Sequence, residues 1–121
     1  MGSLASIRPG EGSPAYAAQK MAMVGLTRSA AQSFAKDNIR CVIISPGHVD
    51  TPFIRGNNEH SPNNWETSID NPDNFERRLK NTPLGRLQEA EDIANAFMFA
   101  ATDDAAMITG SMITVDGGAS M

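Results

Sequence analysis

Only two short segments of this 121-residue chain are rich enough in β-branched residues to be buried strands, and a helix lies between them in sequence. The first covers residues 39–45 and ends at Pro46-Gly47; the second covers 111–115 and closes on Asp116-Gly117-Gly118. Between them Ile93, Ala96, Phe97, Ala100 and Ala101 recur at i, i+3, i+4, i+7 and i+8. That spacing predicts a helix over about 89–102, with Glu89, Glu91 and Asp92 placed to favour its N-terminus through the helix dipole. A strand, a helical crossover and a second strand imply parallel pairing. Parallel strands need cover on both faces, and a two-stranded parallel sheet does not stand alone. The expectation is therefore an α/β chain that forms one end of a larger sheet.

The remaining segments fit that frame. Residues 1–13 are small, polar and glycine-rich, and read as a loop. Residues 14–37 turn helical, with Pro14 in a first turn where its missing N–H costs nothing. Met23, Leu26, Ala30 and Phe34 make a helical stripe, and Ala17, Ala18, Ala22, Ala31 and Ala35 leave the rest small-sided, suited to close packing in a core or against another subunit. Residues 52–82 are long, polar and rich in Asn and Pro, the character of a functional lid or a disordered connection. A net charge of -4, a pI of about 5.0 and the absence of a Lys/Arg run argue against a nucleic-acid surface. No apolar run has the length of a membrane span and no signal-peptide pattern opens the chain. Cys41, the only cysteine, stands in an apolar run and reads as a small buried hydrophobe in a reducing, cytoplasmic setting. His48, His60 and the scattered acids have no metal-ligand spacing.

The stretch "RPGEGSPAYAAQK", residues 8–20, admits two readings. Gly10, Gly12 and Ala15 match G-x-G-x-x-A, the turn that lets a backbone approach a pyrophosphate. That turn needs a strand before it and an acid at the end of the next strand. The preceding "LASIR" is short and polar, Asp37 comes before the strand rather than after it, and Pro14 lacks a needed N–H, so this reading is rejected. In the second reading Tyr16 and Lys20, at i and i+4, share one helix face. An ammonium about 4 Å from a phenol favours phenolate by roughly 4 kcal/mol at an effective dielectric near 20. A Tyr so placed can exchange protons near neutral pH, with a Ser hydroxyl holding the carbonyl oxygen. On its own the motif reads more readily as a half-buried Tyr beside a snorkelling Lys.

The neighbouring residues carry the distinction. The set resembles the short-chain dehydrogenase/reductase family over essentially the whole chain. "MGSLAS" is similar to the end of that family's fifth strand, with Ser3 thirteen positions before Tyr16, and "YAAQK" is similar to its Tyr-x-x-x-Lys helix, with Gln19 where serine is more usual. "IRCVIISPGHVDTPF" resembles the sixth strand and its Pro-Gly turn, with Val42 in place of a common asparagine. "TPLGRLQEAEDIANAFMFAATDDAAMITGSMITVDGG" is similar to the last helix and strand, with Ala90 in place of a frequent proline.

The resemblance implies a single Rossmann-like domain, a doubly wound parallel sheet of which residues 1–121 are the C-terminal catalytic portion and 52–82 the substrate lid. It implies an NAD- or NADP-dependent oxidoreductase acting on a small alcohol or carbonyl substrate. Ser3, Tyr16 and Lys20 would be catalytic: Tyr16 exchanging a proton with the substrate oxygen, Lys20 favouring ionised Tyr16 and holding the nicotinamide ribose, Ser3 orienting the substrate. Pro46, Gly47, Val49 and Thr51 would join Tyr16 and Lys20 in binding cofactor, Val49 through its backbone and Thr51 through its hydroxyl. His48, Phe53 and Trp65 are the candidates facing substrate from the lid side. The family's nucleotide-binding half has no counterpart in these residues, so the expected chain is a fragment, inactive alone, that pairs as a homo-oligomer through the helix over 15–37. A non-catalytic remnant that self-associates or docks on an intact relative is the alternative.

Overall fold

The computed structural model describes residues 1–10, 13–56, 59 and 61–121. Glu11 and Gly12 of the glycine turn, and His60, lie outside the described residues. Strands β1 (Ile43–Pro46) and β2 (Met112–Val115) pair in parallel, with Ile43 opposite Met112 and Pro46 opposite Val115. The ladder extends at both ends, Ile43 N–H donating to Ser111 O and Gly47 N–H to Val115 O, each at 3.0 Å. Residues 43, 45 and 47 thus turn their backbone groups to β2, and the even residues turn theirs the other way. Ile44 O accordingly accepts from Gly2 N–H at 2.7 Å, so residues 1–3 lie along the opposite side of β1. Pro46 is on an even position, where its missing N–H removes nothing from the ladder.

The first strand was expected over 39–45 and begins instead at Ile43, running through Pro46. The helix before it, α1 (Pro14–Phe34), continues as a 3-10 turn at Ala35–Asp37, and Asn38 then reverses the chain in the left-handed region at φ 58°. Ile39 is left 51% exposed. Arg40 is drawn to the C-terminal end of a later helix, α3 (Ala90–Ala101), donating to Ala100 O at 2.7 Å and to Thr102 O and Ile108 O at 3.3 Å. A cation is favourable at that negative helix end, so it holds the chain off the sheet until Ile43. Cys41 falls in this approach segment, its N–H bound to the Thr109 hydroxyl. It is half-buried rather than the buried hydrophobe expected from its apolar run.

A third helix, α2 (Pro72–Lys80), lies within the segment read as an irregular lid. Its local signals are ordinary: the Asn71 side chain accepts from Asp73 N–H, Pro72 sits in the first turn, and Arg77, Arg78 and Lys80 fill the last. The crossover helix α3 matches its expected span, with Glu89 and Asp92 forming a capping box.

The core is small and centred on β1, all four residues of which are buried. Ile43, Ile44, Ile69, Leu87 and Ile93 supply the large side chains, and Ala17 and Ala31 are the buried residues of α1. Leu26 and Phe34 of the expected stripe, and Phe97, Met98 and Phe99 of α3, stay exposed. Among the described residues no helix is long and apolar enough to cross a membrane, and no group of three or more His, Cys, Asp or Glu could hold a metal ion.

Candidate functional site

A cleft of about 430 Å³ opens where residues 1–3, the start of α1 and the exit from β1 meet. Ser3, Tyr16, Lys20, Pro46, Gly47, Val49, Thr51 and Phe53 all line it. The start of α3 adds Ala90 and Ile93, while Met1, Gly2 and Ile54 complete the wall.

Ser3 is held by close backbone approach. A Cβ on Gly2 would run into Ser45 Oγ and stand 3.0 Å from Ile43 Cδ1, so only glycine lets this segment lie against β1. Ser3 is extended, at φ -167° and ψ 164°, and caps the 3-10 turn Leu4–Ser6, its Oγ accepting from Ala5 N–H at 3.2 Å. Ser6 ties this turn to the helix carrying the other two groups. Its buried hydroxyl accepts from Ser3 N–H at 3.2 Å and donates to Lys20 O at 2.9 Å. Tyr16 and Lys20 lie one turn apart on α1, and the Lys20 ammonium stands 5.4 Å from the centre of the Tyr16 ring, in cation–π range. Tyr16 is 46% exposed and lines the cleft.

The segment after β1 forms the facing wall. Val49 makes a parallel bridge with Gln88, through Gln88 N–H to His48 O at 3.0 Å and Asp50 N–H to Gln88 O at 2.7 Å. In that geometry the Val49 N–H and C=O face away from Gln88, and neither is hydrogen-bonded among the described residues. Thr51 O accepts from Ile54 N–H and Arg55 N–H, making the turn that sets Phe53 and Ile54 on the cleft. Arg55 clamps this turn, its Nε and Nη2 on the two Asp50 oxygens at 2.7 and 2.6 Å and its Nη1 on Asp70 at 3.0 Å. Hydrogen bonding to Asp50, and then to Asp70, raises the guanidinium above its already high range. Three residues spaced at 50, 55 and 70 follow no helix or strand period, so nothing in the sequence marked them as a set. Ile93 was legible as the first residue of the α3 stripe, although not as a wall of the site.

Two of the lid-side candidates are not in the cleft wall. Trp65 is 63% exposed on a turn outside it. His48 is half-buried beside α2; burial first, then the charges of Arg78 and Arg77, hold its imidazole below the ordinary value. Phe53 sits in the wall with 65% of its surface exposed.

A family described as enoyl-(acyl carrier protein) reductase matches residues 1–120. The chain is 36% identical to 4-formylbenzenesulfonate dehydrogenase of Comamonas testosteroni, over 96% of this chain and 43% of that protein. It is similar, at TM-score 0.82 and 29% identity, to a short-chain type dehydrogenase/reductase from Mycobacterium ulcerans, over 98% of this chain and 39% of that one. An oxidoreductase from Haemophilus influenza with bound NAD is similar at TM-score 0.77 and 30% identity, over 98% of this chain and 41% of that one. The chain therefore spans less than half the length of the relatives it matches, and its parallel pair belongs to a partial Rossmann-like α/β fold.

Proposed function

The chain belongs to the short-chain dehydrogenase/reductase family, a family of oxidoreductases, and we propose that it carries the catalytic side of an NAD- or NADP-dependent alcohol or carbonyl oxidoreductase. The observation that supports this is the meeting of Ser3, Tyr16 and Lys20 with the segment 46–51 in one cleft. Tyr16 exchanges the proton of the substrate oxygen, and its exposure leaves that exchange unobstructed. Lys20, one helical turn from Tyr16, offers donors to ribose hydroxyls. Ser3, in the same cleft, orients the substrate oxygen. The unpaired Val49 N–H and C=O fit a carboxamide, which has one acceptor and one donor group, and Thr51 adds a hydroxyl. The nicotinamide, when bound, supplies or accepts the hydride.

The two strands have few of the neighbours that a parallel sheet needs, so the remaining cofactor contacts come from further sheet, in the same polypeptide or another. The 121 residues alone are inactive in this reading, the segment 52–82 covers substrate, and the assembly works in the cytoplasm. Copies pair through the helix over 15–37, whose Met21, Leu26 and Phe34 are exposed. Those same exposed side chains favour the second reading, a non-catalytic chain that self-associates or docks on an intact relative.

Tyr16→Phe in the active assembly separates the two. The expected result is a fall in kcat of about 10²–10⁴-fold with nicotinamide affinity retained. Unchanged turnover in Tyr16→Phe removes the catalytic reading. An assembly that binds no nicotinamide and turns over no alcohol or carbonyl leaves the second.

A further inference from the structure

The wall that faces Tyr16 across the cleft is held from two sides by different forces. On the sheet side Asp50 N–H donates to Gln88 O at 2.7 Å and Gln88 N–H to His48 O at 3.0 Å, a bridge that anchors the backbone as far as Asp50. Past Asp50 the wall is a turn. Thr51 O accepts from Ile54 N–H at 3.1 Å and from Arg55 N–H at 3.3 Å, both at the long end of the hydrogen-bond range.

Groups far along the chain supply what the turn lacks. Phe53 O accepts from the Ser61 hydroxyl at 2.9 Å and from the Asn63 side-chain amide at 2.8 Å, and Ile54 O accepts from Ile69 N–H at 3.0 Å. Asp70, the residue before the Asn71 cap of α2, accepts from Arg55 Nη1 at 3.0 Å and, through its other oxygen, from Gly56 N–H at 2.8 Å. Arg55 Nε and Nη2 meet the two Asp50 oxygens at 2.7 and 2.6 Å. One guanidinium thus joins the anchored strand exit, the turn and the start of α2. A planar fork can bridge two carboxylates in this way, whereas a lysine ammonium, a point charge, cannot reproduce the bidentate half.

These ties decide what the wall shows to the cleft. Arg55 follows directly on two apolar lining residues, yet its charge is matched by Asp50 and Asp70 and it is not itself in the lining. Among the described lining residues Lys20 is the one charged side chain, and Phe53, Ile54 and Ile93 give the lining an apolar stretch. Phe53 keeps 65% of its surface exposed while the carbonyls of its turn are gripped from residues 61, 63 and 69. The wall is therefore built in advance of any ligand, which spares the ordering cost when one binds.

We propose that Arg55 is a positioning residue: held by Asp50 and Asp70, it fixes Phe53 and Ile54 as a preformed wall against which the apolar part of a neutral alcohol or carbonyl substrate rests. The word substrate rests on the oxidoreductase reading; the fixed wall and its affinity for an apolar group do not. The strand exit is anchored separately through Gln88, so loss of the Arg55 ties loosens Phe53 and Ile54 and leaves Val49 in place.

Native-state hydrogen exchange in the full chain reads the wall at the amides of residues 54 and 69, and the strand exit at 50 and 88. Arg55→Gln and Asp70→Asn, the latter keeping an oxygen for Gly56 N–H, are expected to lower protection at 54 and 69 about fivefold, the upper range for partly exposed ion pairs. Protection at 50 and 88 should stay within about twofold of the parent. Arg55→Lys should fall between the parent and Arg55→Gln, and Arg86→Gln, which breaks the Arg86–Asp92 pair, should leave 54 and 69 unchanged. Equal losses at all four amides, or no loss at 54 and 69, overturn the positioning role.

Benzyl alcohol is the probe for the wall. The Ile54 δ1-methyl resonance, assigned with Ile54→Val, is expected to shift along a saturable curve that Phe53→Ala weakens about threefold or more, with no saturable shift from glycerol. A glycerol response equal to that of benzyl alcohol, or a benzyl alcohol response unaltered in Phe53→Ala, overturns the apolar wall. In the active assembly Arg55→Gln should raise KM for benzyl alcohol about fivefold, while kcat and the nicotinamide KM stay within about twofold. Saturable benzyl alcohol binding without any turnover removes the oxidoreductase reading and keeps the wall. Turnover with the same benzyl alcohol KM in the parent and Arg55→Gln removes the positioning role and keeps the oxidoreductase.

Discussion

Replacing Gly47 by alanine adds one methyl group at the point where sheet, cleft and C-terminal turn meet. Its cost can be worked from the atoms around it. An alanine Cβ would stand 2.8 Å from Asp116 Cβ, 2.9 Å from Asp116 Cα and 2.9 Å from Gln88 Oε1. Comfortable carbon contacts begin near 3.5 Å, so the methyl is about 0.7 Å too close. Gly47 is not in the left-handed region, so backbone strain contributes nothing and the effect is purely steric. Neither neighbour yields easily. Asp116 is buried, with its carboxylate accepting from Gly118 N–H at 2.9 Å and Ser120 N–H at 2.8 Å. Gln88 is buried, and its backbone bridges to His48 and Asp50. Relief must therefore come from shifting the strand exit, an overpacking cost of about 1–3 kcal/mol. At 1.4 kcal/mol per decade this is roughly a 5- to 140-fold loss of amide protection. Native-state hydrogen exchange at the amides of residues 43 and 47, bonded to Ser111 O and Val115 O, reads it directly. Gly25→Ala supplies the opposite sign: an added Cβ there meets nothing within 4 Å, and a helix-interior alanine is favoured by about 0.5–1 kcal/mol. Protection at residues 43 and 47 within twofold of the parent in Gly47→Ala would refute the steric argument.

Three further outcomes are expected. Ile44→Val, at the most buried large side chain, should cost about 0.5–1.5 kcal/mol, and a urea midpoint that does not move would show that β1 is not the centre of the core. The folded His48 value lies below the unfolded 6.5, so unfolding takes up a proton between the two. Its contribution is whole above about pH 6.5 and is lost as pH falls toward the folded value. The parent's urea midpoint should therefore decline more steeply from pH 7.5 to 5.5 than that of His48→Gln, and parallel declines would contradict this. Asp92 accepts from both Arg86 nitrogens at 2.7 Å and from Glu89 N–H at 2.8 Å, and Arg86 first, then that N–H, hold it well below the usual carboxylate range. Asp92→Asn should speed amide exchange in the first turn of α3 while leaving β1 unchanged, and the same loosening should appear in the parent as pH falls below the usual Asp range.

The parts legible in the sequence are those set by neighbours along the chain. The apolar period from Ile93 places α3, and two short β-rich runs flanking that helix dictate parallel pairing. The i and i+4 spacing puts Tyr16 and Lys20 on one face before any tertiary contact is considered. The helix α2 was also written locally, in Asn71, Pro72 and Asp73, but its polar composition gave no apolar stripe to be recognised by. What only the folded chain decides are meetings of residues far apart in sequence. Arg40 reaches 60 residues ahead to Ala100 and delays β1 to Ile43. Gly2 must be small because Ser45 lies behind it, and Ser6 fixes the distance from the Ser3 turn to α1 through Lys20 O. Arg55 finds Asp70 fifteen positions away, and Gln88 bridges to His48 and Asp50 about forty positions back. Local pattern works because helix and strand periods are properties of a few consecutive residues. Burial, charge pairing and close approach depend on which surfaces meet, so the shape of the cleft and the Arg55 clamp behind its wall exist only once the chain has closed on itself.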